Sequence, residues 1–378
     1  MRILIDYRPA LRERTGVGEY AHQLIRALAL HRPGAGTGER LALWTSSWGD
    51  RPDPAALGEL PGIEVVDRRI PVRLLNWAWH RLEWPPVEAL AGRVDVVHSV
   101  HPLLLPARHA AQIVTVHDLF FLHHPAHTRA EIRRDYPALV RSHVRRADAV
   151  VTPSRYTADL VTRELAVPAD RVIVCSPGPP AWQTLAPDRR LPAHGYILFV
   201  GTLEPRKNVG GLVRAYRRLV ERHPDAPRLV VAGRATPETA QPLADLGALG
   251  GRVEHRGYVP ASEREALYAG AALVVLPSYD EGFGLPVLEA MSAGIPVVIS
   301  NRGSLPEVAG DAAAGIVDPD DHEALADALW QATSDREFAA EAASRGRARA
   351  AAFDWGRTAA TMWTGYEAAW VRRQKRGL

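Results

Sequence analysis

Two glutamates and two glycines in one short stretch are the residues of this chain best suited to chemistry. Glu281 is followed directly by Gly282, Phe283 and Gly284, and Glu289 comes eight residues after Glu281. A turn bounded by glycines that leads into a helix presents backbone N–H groups and the positive end of the helix dipole, which suit an anion such as a diphosphate. We expect the two carboxylates to lie on either side of whatever the turn binds.

The flanking sequence predicts a strand before this turn and a helix after it. Ala271–Leu276 is a wholly apolar run of the kind found in buried parallel strands. Leu285–Ala293 is predicted to be a helix, because Pro286 is tolerated in a first turn, where N–H groups have no partner anyway. The plainer alternative is one more strand-turn-helix unit with both glutamates in solvent, since a lone Gly-x-Gly is weak evidence of a site.

The whole stretch Pro277–Val297 resembles the C-terminal signature of retaining glycosyltransferases with the GT-B fold. This nucleotide-sugar group includes bacterial mannosyltransferases, glycogen synthase and sucrose-phosphate synthase. The E-x7-E pair with GFGLP inside it carries the resemblance. The resemblance implies that Glu289 holds ribose hydroxyls, that Glu281 holds sugar hydroxyls, and that the backbone of Phe283–Leu285 contacts the sugar or diphosphate. It implies no metal and no other cofactor.

Length and composition narrow the class of protein. A chain of 378 residues, 47% hydrophobic and 24% charged, fits two globular domains. No apolar run is long enough to span a bilayer, and the N-terminus leads into a strand without a signal-peptide pattern. Cys175 is the only cysteine, so no internal disulfide is expected. These features together predict a cytoplasmic enzyme.

One lysine stands out because the chain uses arginine almost everywhere. Of 46 basic residues only Lys207 and Lys375 are lysine, a bias that reflects genome composition and does not indicate nucleic-acid binding. Lys375 lies in the terminal tail. Lys207 lies in a loop after the predicted strand Tyr196–Val200. A lysine in a chain so rich in arginine indicates that a compact, flexible ammonium is required there.

Arg206 and Lys207 form a cationic pair that is well placed to balance the charge of a departing diphosphate. Many members of the resembled family carry Arg directly after the strand glycine, here Gly201, and Lys five residues further on. Lys207 matches that lysine, but Thr202 occupies the arginine position. We expect Arg206 to supply the missing charge.

The N-terminal half begins with the same arrangement of strand, glycine turn and helix. Arg2–Asp6 is a predicted strand, the loop after it ends in Thr15-Gly16-Val17-Gly18, and Glu19–Leu30 is a predicted helix. Gly16 and Gly18 are equally typical of a simple tight turn. The resemblance implies that this loop lies at the interdomain cleft near the donor diphosphate and the acceptor.

A polar pair, His117 and Asp118, follows the predicted strand Ile113–Val116. The carboxyl end of a central strand is where open α/β sheets place ligands, although His and Asp also serve as turn and N-cap residues. The resemblance favours the first interpretation and implies that His117 reaches the donor sugar. It also places Gly257–Val259 against the nucleotide base, where Tyr258 either stacks on the base or packs.

Three further histidines, His123, His124 and His127, raise the question of a metal site. No cysteine or HExxH pattern accompanies them, and the resembled family needs no metal, so no metal site is predicted. Arg129–Arg146 reads as a basic helix with a solvated face, with phosphate or anionic-lipid contact as a minor alternative.

The segment Pro71–Leu90 is unusual for its aromatic and basic residues. Trp77, Trp79 and Trp84 are interleaved with arginines. This combination is found at membrane interfaces and in acceptor grooves, and it is also found in ordinary helix packing, which we favour.

Both halves alternate strand and helix, which predicts two doubly wound parallel-sheet domains of the Rossmann-like type, α/β in class. We place an acceptor-side domain at 1–187 and a nucleotide-sugar-binding domain at 188–355, with the Pro-rich Pro177–Pro192 as linker. The resemblance implies a central cleft and a last helix, 356–378, that crosses back to the first domain.

The predicted function is retaining transfer of a hexose. The RTGVGEY and GTLEPRKN stretches look most like mannosyltransferases of polysaccharide or O-antigen assembly, which favours GDP-mannose as donor and a glycan or lipid-linked acceptor at the membrane surface. UDP- or dTDP-sugars are alternative donors. A sugar epimerase, a phosphorylase and a non-catalytic nucleotide-sugar-binding protein are the alternative classes. No nucleic-acid partner is expected.

Overall fold

The computed structural model describes residues 1–11, 14, 16–33, 38–124, 136–182 and 195–377. The chain forms two compact units. The first unit consists of Met1–Pro177 together with Asp354–Leu378, and the second unit is Gly178–Phe353. The predicted domain boundary at residue 187 lies outside the described residues, as does most of the predicted linker.

The first unit alternates strands and helices along the chain. Its strands are β1 Arg2–Asp6, β2 Arg40–Trp44, β3 Glu64–Val66, β4 Val96–Ser99, β5 Ala111–Thr115, β6 Ala149–Thr152 and β7 Val172–Val174. Its helices before the second unit are α1 Val17–Leu30, α2 Pro54–Gly58, α3 Val72–Leu82, α4 Val87–Ala91, α5 Phe120–His123, α6 Tyr136–Arg146 and α7 Arg155–Leu165.

These strands form one parallel sheet in the order β3-β2-β1-β4-β5-β6-β7. The central strand β1 pairs on both sides, with Ile3 opposite Leu41 and Val96. Its apolar residues Leu4 and Ile5 are fully buried, as expected for a strand covered on both faces. The strand order reverses between β1 and β4, and such a switch point is where open α/β sheets bind ligands.

The second unit repeats this plan. Its strands are β8 Tyr196–Val200, β9 Leu229–Ala232, β10 Val253–Gly257, β11 Ala271–Leu276, β12 Val297–Ser300 and β13 Gly315–Val317. Its helices are α8 Val209–Arg222, α9 Ala240–Gly247, α10 Ala261–Ala269, α11 Leu285–Ser292, α12 Leu305–Ala309, α13 His322–Ser334 and α14 Arg336–Ala350. The parallel strand order is β10-β9-β8-β11-β12-β13, with its switch point between β8 and β11.

The last helix, α15 Trp355–Lys375, packs on α1 and β5 in the first unit. Met362 and Tyr366 are fully buried in the same apolar cluster as Ile3. The Tyr366 hydroxyl is hydrogen-bonded to Nδ1 of buried His98, at 2.8 Å. Residues from both ends of the chain therefore share one core. No helix in the described ranges has the length and hydropathy needed to cross a bilayer.

Candidate active site

The loops that leave β8 and β11 meet at the switch point of the second unit. The two strands pair in parallel, with Leu198 opposite Val274, so their carboxyl ends lie side by side. The loop after β8 includes a short 3-10 turn, Pro205–Lys207. The loop after β11 is tied to it by a backbone hydrogen bond from Tyr279 N–H to the Arg206 carbonyl, at 2.7 Å. Lys207 and the E-x7-E stretch are thereby brought together.

Glu281 is the centre of a buried charged cluster. Its Oε1 accepts hydrogen bonds from the Lys207 ammonium and from the Ser278 hydroxyl, the latter at 2.7 Å. Its Oε2 accepts one from the Arg206 guanidinium at 3.0 Å. Glu281 and Lys207 are only 5% and 6% exposed. The structure therefore joins three of the predicted catalytic residues in one network.

The ionisation of this cluster follows from its geometry. Burial alone would raise the pKa of Glu281, but the charges of Lys207 and Arg206 outweigh burial and hold the pKa at about 2. Burial lowers the pKa of Lys207, and the Glu281 carboxylate opposes that effect. At neutral pH the site holds a carboxylate between two cations.

The backbone of Glu281 is held as firmly as its side chain. Its carbonyl accepts hydrogen bonds from both the N–H and the hydroxyl of Ser304, at 3.0 and 2.8 Å. Gly303, with φ of 62°, lies so close that a Cβ there would be 2.7 Å from the Glu281 nitrogen. The loop after β12 thus fixes the position of Glu281.

The glycine turn leads into α11 as predicted. Gly284 is the N-cap, with a left-handed φ of 92°, and Leu285 and Pro286 begin the helix. A Cβ on Gly284 would lie 2.5 Å from Leu305 Cδ2, so only glycine fits. Gly282 and Phe283 are buried, and the Phe283 ring packs edge-on against Phe353. The turn is closely packed and ends at the positive end of the α11 dipole.

Glu289 lies on α11 and is 6% exposed. Its Oε2 accepts a hydrogen bond from the Tyr268 hydroxyl at 2.5 Å, and its Oε1 accepts one from Arg264 at 3.2 Å. Burial raises the pKa of Tyr268 well above 10, so this phenol remains a donor. Glu289 is therefore held separately from the Glu281 cluster by two residues of α10, neither of which was predicted.

Three glycines without side chains, Gly201, Gly233 and Gly257, lie next to one another at the carboxyl ends of β8, β9 and β10. Gly233 N–H donates to the Gly257 carbonyl at 2.7 Å, and a Cβ on Gly233 would lie 1.8 Å from the Gly201 oxygen. A Cβ on Gly201 would lie 3.5 Å from Lys207 Cε, so the lysine side chain packs against the backbone of Gly201. Gly201 therefore lies beside Lys207 of the cationic loop, and its predicted contact with the donor stays a prediction.

The remaining predicted donor-binding residues of this unit are partly buried. Thr202 starts the loop that ends at Lys207, and Tyr258 and Val259 follow β10 directly. Val259 packs against the core of the unit. Arg206 also donates to the Asp280 carbonyl at 3.2 Å, so it places a guanidinium in the Glu281 cluster although Thr202 carries no charge.

His117 lies in the first unit, after β5. Its Nε2 donates to the Val100 carbonyl at 2.9 Å, and its ring stands edge-on to Tyr20 of α1 at 5.0 Å between centroids. Burial lowers the pKa of His117. The imidazole is therefore neutral at pH 7 with its proton on Nε2, which makes Nδ1 a hydrogen-bond acceptor.

The glycine loop before α1 is shaped by close packing. Gly16 is the N-cap of α1 with φ of 44°, and its carbonyl accepts from Tyr20 N–H at 2.9 Å. A Cβ on Gly18 would lie 2.6 Å from the Pro9 carbonyl oxygen. Packing is thus sufficient to explain Gly18. Thr15 lies outside the described residues.

A second polar cluster, at the end of β1, was not predicted. Asp6 is fully buried and accepts from the Arg8 guanidinium at 2.7 Å, with His101 Nε2 at 3.2 Å. Burial would raise the pKa of Asp6, but Arg8 and His101 outweigh it and hold the pKa well below its usual range. The rule that drew attention to His117, a polar residue at the carboxyl end of a central strand, applies equally to Asp6.

The histidines that raised the question of a metal site have ordinary partners where the structure describes them. His123 bonds Glu164 at 2.6 Å and His124 stacks on Phe120, while His127 lies outside the described residues. No group of three or more candidate metal ligands lies together in the described part of the chain.

The tryptophan segment is only partly explained by packing. Trp79 is buried against Trp44, but Trp77 and Trp84 are 57% and 61% exposed. The prediction that these tryptophans serve helix packing is therefore wrong for two of the three. Of the predicted basic helix, residues 129–135 lie outside the described part, and the described residues Tyr136–Arg146 are helical, as α6.

Comparison with known families identifies the class of protein. The model for glycosyl transferases group 1 matches residues 190–349, and the model for the glycosyl transferase 4-like domain matches residues 15–178. O-antigen chain mannosyltransferase B of Escherichia coli is 32% identical over an alignment of 383 positions that covers 94% of this chain and 96% of that protein. D-inositol 3-phosphate glycosyltransferase of Corynebacterium efficiens is 33% identical over 277 residues, 65% of each chain.

Among solved structures, sucrose-phosphate synthase from Thermosynechococcus elongatus superposes with a TM-score of 0.75 at 21% identity, over 97% of this chain and 98% of that chain. This likeness shows the fold, which is GT-B: two Rossmann-like α/β units with parallel sheets. The chain belongs to the group 1 glycosyltransferases.

Proposed function

We propose that this glycosyltransferase moves a mannosyl residue from GDP-mannose to a glycan or lipid-linked acceptor during cell-surface polysaccharide assembly, with retention of configuration. The observation that carries the proposal is the likeness to the E. coli O-antigen chain mannosyltransferase, which extends over 94% of the chain. The buried cluster of Glu281, Lys207 and Arg206 supports it, because its chemistry suits a diphosphate leaving group.

In the proposed reaction the bond from the sugar anomeric carbon to the donor diphosphate breaks, and a bond to the acceptor oxygen forms on the same face. The acceptor proton passes to the departing diphosphate, so no enzyme nucleophile is required. Lys207 and Arg206 stabilise the charge that develops on the diphosphate. Because Glu281 holds both cations in place beforehand, little reorganisation is needed in the transition state.

Glu281 also has capacity to bind the sugar. Each carboxylate oxygen accepts two hydrogen bonds, and Oε2 accepts one from Arg206. A sugar hydroxyl donating to Oε2 would orient the ring. His117 is proposed to accept from a second sugar hydroxyl through Nδ1, since its Nε2 proton is committed to Val100.

Glu289 is proposed to hold the ribose hydroxyls of the nucleotide. Tyr268 and Arg264 fix the orientation of the carboxylate. The backbone around Gly282 and Gly284 would lie against the sugar or diphosphate, and Tyr258 and Val259 against the base. In this proposal Gly16 and Gly18 contribute backbone near the donor phosphates.

We further propose that transfer requires no metal ion, because two cations of the protein already serve the diphosphate. A chelator should leave the rate unchanged. Inhibition that a divalent metal reverses would overturn this part of the proposal. The same proposal places the enzyme in the cytoplasm at the inner face of the plasma membrane, where a lipid-linked acceptor is met, and assigns it no nucleic-acid partner.

A second candidate is transfer from a UDP- or dTDP-sugar to a lipid or small-molecule acceptor. It is favoured by the 33% identity to a D-inositol 3-phosphate glycosyltransferase, whose name specifies a small acceptor. That similarity covers 65% of the chain, against 94% for the mannosyltransferase, so we rank it second.

Thermal unfolding with a panel of nucleotides separates the candidates. A ligand that binds only the folded state raises the unfolding temperature, and at a given concentration a tighter ligand raises it further. The proposal predicts a rise with GDP and GDP-mannose and little with UDP, dTDP, ADP or their sugars. A rise with UDP or dTDP alone would favour the second candidate, and no rise with any nucleotide would contradict both.

A further inference from the structure

The helix α3 presents large apolar side chains to solvent. Leu74 and Trp77 on this helix are 58% and 57% exposed, and Trp84, just beyond its end, is 61% exposed. Exposed apolar residues are ordinary when scattered singly, but tryptophans grouped on one short segment are not. Nothing in the described part of the chain covers these side chains to the extent expected for packing residues.

The exposure is not a sign of a loosely attached helix. Leu75 and Trp79 on the opposite face are 2% and 1% exposed, and Trp79 Nε1 donates to the Pro85 carbonyl at 2.9 Å. The helix is thus anchored by one apolar face and presents a second one outward. Large apolar side chains grouped on a solvent-facing side indicate an interaction surface.

Basic residues flank the exposed tryptophan. Arg73 and Arg81 are exposed, four residues before and after Trp77, so each is rotated from it by about 40° around the helix. The acidic residue at the end of the segment, Glu83, is paired with Arg146 of α6 at 2.9 Å. The outward face of α3 therefore combines Leu, Trp and Arg without an exposed unpaired carboxylate.

We propose that this face of α3, defined by Arg73, Leu74, Trp77 and Arg81 with the neighbouring Trp84, docks the protein on an anionic lipid bilayer surface. Tryptophan and leucine enter the interface between headgroups and acyl chains, and arginine attracts anionic headgroups. The inference rests on the proposed function and deepens it, because a lipid-linked acceptor has to be reached at such a surface.

A glycan is the other partner that exposed tryptophans bind. Sugar sites surround an aromatic ring with side chains that fix hydroxyl groups in place, such as carboxylates and amides. The outward neighbours of Trp77 are instead leucine and two arginines. The chemistry of the face therefore favours the anionic bilayer.

Co-sedimentation of the full-length protein with vesicles tests the proposal. Vesicles of phosphatidylcholine alone are compared with vesicles that also contain phosphatidylglycerol, at low and high salt. The variants are Leu74→Ser with Trp77→Ser, and separately Arg73→Gln with Arg81→Gln. Leu30→Ser is the matched apolar control, because Leu30 is 57% exposed on α1.

The wild type and Leu30→Ser should bind phosphatidylglycerol vesicles alike, and the apolar double variant should lose roughly tenfold or more in binding. The arginine double variant should also lose roughly tenfold at low salt, with less difference at high salt. Equal binding by wild type and both double variants, or no wild-type binding, would overturn the proposal. Loss of affinity for a soluble mannose oligosaccharide with vesicle binding intact would assign the face to a glycan instead.

A soluble acceptor distinguishes this proposal from the proposed function. The apolar double variant should retain GDP-mannose affinity and transfer to a water-soluble acceptor, while transfer to an acceptor embedded in vesicles falls. If wild type binds vesicles through α3 but transfers no mannose, the docking surface stands and the proposed function fails.

Discussion

The ammonium of Lys207 lies against the carboxylate of Glu281 in an ion pair that is almost wholly shielded from water. The two residues are 74 positions apart and come from the loops after adjacent strands, so the parallel pairing of β8 and β11 creates the contact. Two buried charges persist only when geometry and further hydrogen bonds compensate their desolvation, and here Ser278 and Arg206 supply these. The charges of this ion pair are therefore preorganised, held in place before any ligand binds.

Replacing Lys207 by alanine should reduce kcat by about a hundredfold to a thousandfold, because one of the cations that stabilises the leaving diphosphate is lost. Lys207→Arg should retain more activity by keeping the charge. Arg217→Ala, an exposed arginine on α8, is the control. Near-normal turnover by Lys207→Ala would remove the lysine from the mechanism.

The same substitution leaves Glu281 with less compensation, so stability must be measured beside activity. Breaking a buried pair typically costs about 3–5 kcal/mol, and Arg206 should offset part of that. Glu281→Gln combined with Lys207→Ala should be less destabilising than the sum of the single changes. The free energies of unfolding in urea of the wild type, the two single variants and the double variant test this prediction.

Glu289→Ala should weaken nucleotide binding by about tenfold to a hundredfold, the amount expected for lost hydrogen bonds to a charged group. Tyr268→Phe should weaken it by a smaller factor, because the carboxylate stays but loses one positioning donor. Isothermal titration with GDP measures both, and Glu263→Ala on the exposed side of α10 is the control. Unchanged affinity in Glu289→Ala would exclude the ribose role.

Acid should destabilise the second unit through Glu281. Its pKa is about 2 in the folded protein and 4.5 when unperturbed, so its contribution is fully present above pH 4.5 and is lost as the pH falls towards 2. The loss amounts to about 3 kcal/mol. Glu281→Gln should unfold more easily than wild type at pH 6, and the difference should shrink below pH 4.5. A constant difference across that range would contradict the assigned pKa.

His117→Ala should lower affinity for GDP-mannose and leave affinity for GDP unchanged, because the proposed contact is to the sugar alone. Since burial lowers the pKa of His117 below 6.5, the neutral form dominates, and ionisation of this residue should add no pH dependence to the rate between pH 7 and 8. Equal losses for GDP and GDP-mannose would show that the residue acts on the nucleotide or on folding.

Local patterns were sufficient to predict several strands and helices. The bounds of β1, β8 and β11 agree with the strands that the sequence predicted, and α11 begins at Leu285 as its proline suggested. The 3-10 turn at Arg8–Ala10 was not predicted, because three residues carry no periodicity.

The partners of the site residues depend on tertiary structure. Tyr268 and Arg264 contact Glu289 across 21 and 25 positions, and only their i, i+4 spacing on α10 hinted at a shared face. The exposure of Trp77 was missed for the same reason, since an aromatic at helical spacing looks alike on either face of a helix. The sequence was enough to identify Glu281, Glu289 and Lys207 as candidate site residues, but which side chains contact them depends on the order of the strands in the sheet.

Transfer itself is the most direct test of the proposed mannosyltransferase activity. Purified protein is incubated with GDP-mannose and a mannose-terminated acceptor, GDP release is followed, and the new linkage is identified by NMR. We predict GDP release that depends on the acceptor, an α-linked product from the α-linked donor, and loss of both in Lys207→Ala. Preferential transfer from a UDP- or dTDP-sugar, or a β-linked product, would contradict the proposal.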